Sequence, residues 1–349
     1  MKIKYRALSD NLIACTTVTD FSDITMHSLA EALKKTGLRE RSLISIRNFR
    51  KEEIKRLFEA TKLMEPYMKV GLSLLPRKVL ATLFFEPSTR TKFSFETAMH
   101  KLGGDVISES TPYTSSSIAK EESLDDMIRV ISKYVDIIVL RHPNSEEAIR
   151  AVQASDVPII SGGFGDLEHP TQALLDLYTI WRTFGRIKNL KVIIASPDLK
   201  AARTGHSLAY GLAKLDAEII LASSKELKMP KETIENLRRM KASVTEFFDP
   251  LNFDELVSSS DVVYFPGCRV PCGPKRDAFR NIASKYFIQL ETLEKTKEKL
   301  GKMVYVMHPL PRFPGEIDPR IDQTHHALYF KQIEYSIPIR MTIIASILD

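Results

Sequence analysis

What most constrains this chain is a repeated alternation. Short apolar runs at 78–85, 105–108, 137–140, 158–161, 191–195, 218–222, 244–247, 262–265 and 303–307 are separated by longer segments with helical spacing. In 51–70 the apolar residues Ile54, Leu57, Phe58, Ala60 and Leu63 fall on one side of a helix. Further helices are predicted at 28–35, 123–134, 146–154, 171–184, 206–215, 231–240, 286–300 and about 324–348, the last broken near Pro338. Strands this apolar need cover on both faces, and alternating helices supply it, so the pattern is that of a parallel α/β sheet. Ligands of such sheets collect at the carboxyl ends of the strands. At 349 residues the chain is long enough for two domains.

The first of these strand ends is chemically rich. The run closing at Phe85 is followed by Glu86-Pro87-Ser88-Thr89-Arg90-Thr91, and Phe93, Phe95, Ala98 and Met99 then take up helical spacing. A helix start offers unpaired N–H groups and the positive end of the helix dipole. Hydroxyls and a guanidinium added there make a phosphate site, although Ser88 or Thr89 as a plain N-cap fits the local sequence equally well. Two further strand ends carry cationic or donor groups. Arg141-His142-Pro143 closes 137–140, and after 158–161 the loop GGFGDLE leads to His169-Pro170-Thr171-Gln172.

Ser-Thr-Arg-Thr followed by Phe-Ser-Phe-Glu closely resembles the carbamoyl-phosphate loop of the aspartate/ornithine carbamoyltransferase family. The Arg-His-Pro and His-Pro-Thr-Gln blocks, and His308-Pro309-Leu310-Pro311-Arg312, stand in that family's order, and the last resembles its aspartate branch. The resemblance runs from about residue 43 to 349. It implies two parallel-sheet, Rossmann-like domains with the active site in the cleft between them. Residues 43–178 would bind carbamoyl phosphate, with the C-terminal helix 324–349 packing back on them, and 179–323 would bind aspartate. Residues 1–42 are left as an extension that packs on the body.

By the same resemblance Ser88, Thr89, Arg90, Thr91 and Arg141 hold the phosphate. Thr91, Arg141 and His169 take the carbamoyl oxygen, and Gln172 and the Leu310 carbonyl take the carbamoyl NH2. Ser116 and Lys120, in the serine-rich segment 111–122 read here as a mobile loop, would enter the site of a neighbouring subunit in a homotrimer. Whether regulatory chains join that trimer is left open. His100 and His142 are read as structural. The implied activity is carbamoyl transfer to L-aspartate, a step toward pyrimidines, with no metal and no cofactor.

The acceptor side departs from the pattern. Arg203-Thr204 matches the family's grip on the aspartate α-carboxylate. The second grip is an Arg after a strand-end Tyr, then Val or Ile, then Gln. Here Tyr264 is followed by Phe265-Pro266-Gly267-Cys268-Arg269-Val270-Pro271, so Arg269 matches only with about two inserted residues, and Pro271 replaces Gln. Proline brings neither an N–H nor a side-chain amide. Arg276 is the candidate for the basic residue that relatives pair with Glu86. A different amino-acid acceptor is therefore the first alternative, and a silent assembly partner the second.

Composition excludes other classes. A net charge of +6 is spread among interleaved acids and bases, which suits anionic substrates and is too diffuse to argue for nucleic acid, and none is expected as a partner. Cys15, Cys268 and Cys272 make neither a disulfide framework nor a four-ligand zinc site. That usage, with no membrane-length apolar run and no leader pattern, points to the cytoplasm. No G-x-G-x-x-G follows any strand, which removes a Rossmann dehydrogenase.

Overall fold

The computed structural model describes residues 26–267 and 275–348. In it the apolar runs pair into two parallel sheets. β1 (Val79–Phe84), β2 (Asp105–Glu109), β3 (Ile137–His142) and β4 (Ile159–Phe164) form the first, in the order β2-β1-β3-β4. β5 (Lys191–Ala195), β6 (Glu218–Ala222), β7 (Ser243–Phe247), β8 (Val262–Tyr264) and β9 (Tyr305–Met307) form the second, in the order β7-β6-β5-β8-β9. The central strands are buried along nearly their whole length, as sheets covered on both faces require. Each sheet reverses its strand order beside its first strand, between β1 and β3 and between β5 and β8. Side chains beyond those strand ends meet in a crevice.

The helices are α1 (Met26–Lys35), α2 (Lys51–Met64), α3 (Tyr67–Val70), α4 (Thr89–Lys101), α5 (Pro112–Ser115), α6 (Leu124–Ile131) and α7 (Ser145–Ala154). They continue with α8 (Pro170–Phe184), α9 (Arg203–Lys214), α10 (Lys231–Arg239), α11 (Phe253–Ser259), α12 (Lys275–Ala283), α13 (Leu290–Leu300) and α14 (Tyr329–Leu348). α8 is buried without interruption from Pro170 to Ile180 and carries the chain from the first sheet to the second. α14 returns to pack on α2, α4 and α8. α1 buries Leu29 and Leu33 and packs on α2 and α14, so the described part of the extension does lie on the body.

Four expectations need correction. The helix expected over 51–70 is two helices, because Pro66 follows the end of α2 and a short α3 resumes at Tyr67. The segment 111–122 is not a bare loop. Pro112 starts α5, and a 3₁₀ turn covers Ser117–Lys120. The helix expected over 286–300 begins only at Leu290, and α12 before it was not anticipated. The last helix begins at Tyr329 rather than near 324 and passes through Pro338 without a break. The carbonyl deprived of an i+4 partner by Pro338 belongs to Glu334, an exposed residue.

Candidate active site

The strand ends converge on a cleft of roughly 760 Å³ lined by both halves of the chain. On the first-sheet side, β1 runs into α4, and Ser88, Thr89, Arg90 and Thr91 line the cleft around the helix start. Ser88 occupies the N-cap position, yet its side chain makes no capping bond, which leaves the hydroxyl for another partner. Thr91, one turn in, is buried.

Arg141 stands opposite Phe84 in the β1–β3 register, so its guanidinium emerges beside the phosphate loop. Its Nη1 donates to the Gly162 carbonyl at 3.0 Å. Gly163 there has φ +116°, a backbone conformation that residues with a Cβ rarely adopt, and a Cβ would come within 3.2 Å of that guanidinium. His169 is the N-cap of α8, and its backbone N–H donates to Ser207 Oγ at 2.8 Å. Its ring lies between two hydroxyls, with Thr91 Oγ1 3.5 Å from Nε2 and Thr171 Oγ1 3.4 Å from Nδ1. Burial, then the charges of Arg141, Arg203 and Arg340, hold its pKa well below the usual 6.5. The imidazole is therefore neutral at physiological pH, able to polarise a carbonyl as an uncharged donor.

On the second-sheet side, Arg203 is the first residue of α9. Both of its terminal nitrogens lie 3.3 Å from Glu86 Oε2, and the same oxygen is 3.4 Å from Arg141 Nε. Glu86 thus bridges the two arginines across the cleft. Asp198, Pro266 and Gly267 complete this wall, and Asp166, from the loop after β4, lines the cleft from the first-sheet side.

β9 delivers His308, which is buried and stacks on Phe265. Its Nδ1 accepts the Leu310 N–H at 2.8 Å, so the ring proton sits on Nε2 and donates to Glu316 at 3.2 Å. Leu310 lines the cleft with a positive φ of 58°, rare for a branched residue and concentrated at functional sites.

Of the residues singled out from sequence, Ser88, Thr89, Arg90, Thr91, Arg141, His169, Gln172, Arg203 and Leu310 all line this cleft. Ser116 and Lys120 do not line it, and Lys120 is exposed. Arg269 and the three cysteines fall outside the described residues. His142 is buried against Phe85, with its ring bonded to the Asn144 backbone, and His100 is exposed at the end of α4, so neither enters the site.

Sequence reasoning missed Arg340 and Asp176. Arg340 lies 5.0 Å over the Phe95 ring, and burial lowers its pKa to about 10. It is the one charge in an apolar stretch, IPIRMTIIASIL, and that contrast was the available signal.

Comparison with known proteins agrees over most of the described chain. Residues 41–182 match the model for the "Aspartate/ornithine carbamoyltransferase, carbamoyl-P binding domain", and 188–347 match the model for the "Asp/Orn binding domain". The chain belongs to the aspartate/ornithine carbamoyltransferase family. It is 50% identical to a ureidoglycine carbamoyltransferase of Rubrobacter xylanophilus, over 92% of this chain and 95% of that one. It is 45% identical to the aspartate carbamoyltransferase catalytic subunit of Methanocaldococcus jannaschii, over 88% and 97%. Aspartate transcarbamoylase of Trypanosoma cruzi, solved with carbamoyl phosphate, superposes with a TM-score of 0.81 at 32% identity, covering 90% and 98%. The protein is a carbamoyltransferase. Among the described residues, no helix is long and apolar enough to cross a membrane.

Proposed function

We propose that this carbamoyltransferase moves the carbamoyl group of carbamoyl phosphate to the amine of ureidoglycine, a small amino acid with one carboxylate and a neutral ureido group. The observation that carries this is the 50% identity to the Rubrobacter ureidoglycine carbamoyltransferase, joined to the departure of residues 265–277 from the family's acceptor pattern. Among the described lining residues from the second sheet's loops, Arg203 is the one arginine or lysine, and Asp198 stands with it. One guanidinium suits one carboxylate. A second carboxylate without a cation in a partly desolvated cleft is unfavourable by several kcal/mol. Pro271, where the family has Gln, suits the same reading.

The chemistry follows from the donor side. The phosphate sits at the start of α4 with Ser88, Thr89, Arg90 and Thr91, and Arg141 beside it. The acceptor nitrogen attacks the carbamoyl carbon, and the carbonyl oxygen takes up negative charge held by Thr91, Arg141 and the neutral His169. The carbon–oxygen bond to phosphate then breaks, phosphate leaves with the electron pair, and it accepts the proton shed by the amine. The product is acetate carrying two ureido groups on its α-carbon. Ser116 and Lys120, away from their own cleft, complete the site of a neighbouring subunit in a homotrimer working in the cytoplasm.

Aspartate is the second reading, favoured by the archaeal relative and by Arg269 in the acceptor loop. The deciding assay measures phosphate release and carbamoylated product with ureidoglycine, aspartate and ornithine as acceptors. It also follows phosphorolysis of the bis-ureido acid in reverse. Turnover with ureidoglycine and little with aspartate is expected. The opposite ranking overturns the ureidoglycine assignment, and no turnover with any amino acid favours a silent partner.

A further inference from the structure

One helical turn beyond Gln172 on α8, Asp176 has a fully buried carboxylate that the chemistry above does not use. Its Oδ1 receives two amide groups. Gln172 Nε2 donates to it at 2.7 Å, and Gln332 Nε2, from α14, donates at 2.6 Å. Gln332 is itself fully buried, and its Oε1 accepts the His308 backbone N–H at 3.1 Å, two residues before Leu310. The Tyr264 hydroxyl and the Arg340 charge also face the carboxylate.

An amide has two ends, and only one can face an acceptor. Asp176 therefore turns the NH2 of each glutamine toward itself and the oxygen away. For Gln172 that leaves the oxygen on the side of the cleft it lines. For Gln332 it leaves the oxygen to His308. We propose that Asp176 is a positioning residue. It fixes the Gln172 side-chain oxygen and, through Gln332 and the His308 backbone, the Leu310 carbonyl as the two acceptors for the carbamoyl NH2. The inference rests on the donor-site reading above. Burial pushes the Asp176 pKa up to about 7. Oδ1 accepts in either protonation state, so the arrangement survives titration.

The test compares Asp176→Leu, Asp176→Asn, Gln172→Ala and the Asp176→Leu/Gln172→Ala double variant, with melting temperatures beside the kinetics. Gln172→Ala should lower kcat/KM for carbamoyl phosphate by about 10²-fold, and Asp176→Leu by about 10- to 10²-fold, since a misplaced contact is that sensitive. The acceptor KM should stay within about threefold, because no acceptor contact is touched. Asp176→Asn should keep activity within about threefold, because its amide oxygen accepts from both glutamines. The double variant should lose far less than the product of the two single losses.

Wild-type kcat/KM in Asp176→Leu overturns the proposal. So do multiplicative losses, or an Asp176→Asn enzyme that melts normally yet is as slow as Asp176→Leu. If Asp176→Leu does not fold, Gln332→Leu replaces it: an enzyme that melts normally should lose about tenfold in kcat/KM, and unchanged activity overturns the link to Leu310. If Gln172→Ala alone leaves kcat/KM unchanged, the donor-site reading fails and takes this inference with it. A damaged Gln172→Ala beside an unaffected Asp176→Leu sinks this inference only.

Discussion

The two walls of the cleft are built differently. On the donor wall each functional group is fixed by regular structure. Arg141 is held by strand register, Thr91 by the first turn of α4, and His169 by the N-cap of α8 and the Ser207 hydroxyl. On the acceptor wall Arg203 has such support, at the start of α9, while Asp198, Pro266 and Gly267 come from the loops that follow β5 and β8. A family that shares one donor and varies the acceptor can keep the first wall and rewrite the second. The altered sequence at 265–277 falls where such rewriting leaves the chemistry untouched.

The largest expected effect strikes the donor wall. Arg90→Ala should reduce kcat/KM for carbamoyl phosphate by about 10²- to 10³-fold or more with every acceptor, while the melting temperature stays put. Near-normal binding of carbamoyl phosphate in a titration would remove this loop from the phosphate site. In the proposed homotrimer a neighbouring subunit's Lys120 completes this wall. Lys120→Ala and His169→Ala chains, each inactive alone, should regain activity when mixed, because hybrid trimers contain interfaces with both residues intact. A fully active monomer by light scattering, or inert hybrids, breaks that claim.

Next is Arg203→Ala, which should raise the acceptor KM by about 10- to 10²-fold, the size of one charge-assisted pair, and leave carbamoyl-phosphate affinity nearly unchanged. Losses shared equally between both substrates would show that Arg203 serves the cleft through Glu86 rather than holding a carboxylate.

The contrast between walls also explains what the sequence revealed. The donor residues sit in short contiguous blocks at strand ends, so apolar periodicity located them and the family resemblance named them. The strands of both sheets were legible for the same reason. Asp176 was not legible, although Gln172 and Asp176 are four apart on one helix. Its partner Gln332 lies 156 residues away on α14, and no local pattern joins them. A basic partner for Glu86 was expected, with Arg276 as the candidate, but its bridge to Arg141 and Arg203 joins groups from two sheets that no local pattern connects. α12 escaped notice because 266–275 reads as proline- and glycine-rich chain with no apolar periodicity to mark a helix start.

A smaller effect concerns stability. In the folded protein Asp176 titrates at about 7, against about 3.8 for an exposed aspartate. Between those values the native state binds more protons than the unfolded chain, so this group makes stability fall as pH rises. Asparagine has no such titration. The melting temperature of Asp176→Asn minus that of wild type should therefore grow by several degrees between pH 4 and 8. His169, whose depressed pKa works in the opposite direction below pH 6.5, is present in both proteins and cancels. A constant or shrinking gap would mean that the carboxylate is ionised in the fold across this range.

The smallest expected effect is the most discriminating. Arg269 is the residue the family pattern offers as the second carboxylate grip, and its loop lacks the glutamine that normally accompanies it. If the acceptor is ureidoglycine, its one carboxylate is taken by Arg203, and its neutral ureido group gains little from a cation. Arg269→Ala should then change kcat/KM for ureidoglycine by no more than about threefold, less than one charge-assisted bond. The aspartate reading demands the reverse. The β-carboxylate would lose its partner, aspartate KM would rise and kcat would fall, while carbamoyl phosphate would bind as before. Comparing the two acceptors in this one variant therefore separates a wall rewritten for a neutral side chain from one that keeps its second cation on a longer loop. A large loss with ureidoglycine would place Arg269 on the ureido oxygen or on the carboxylate itself, and the one-arginine account of the acceptor wall would be wrong.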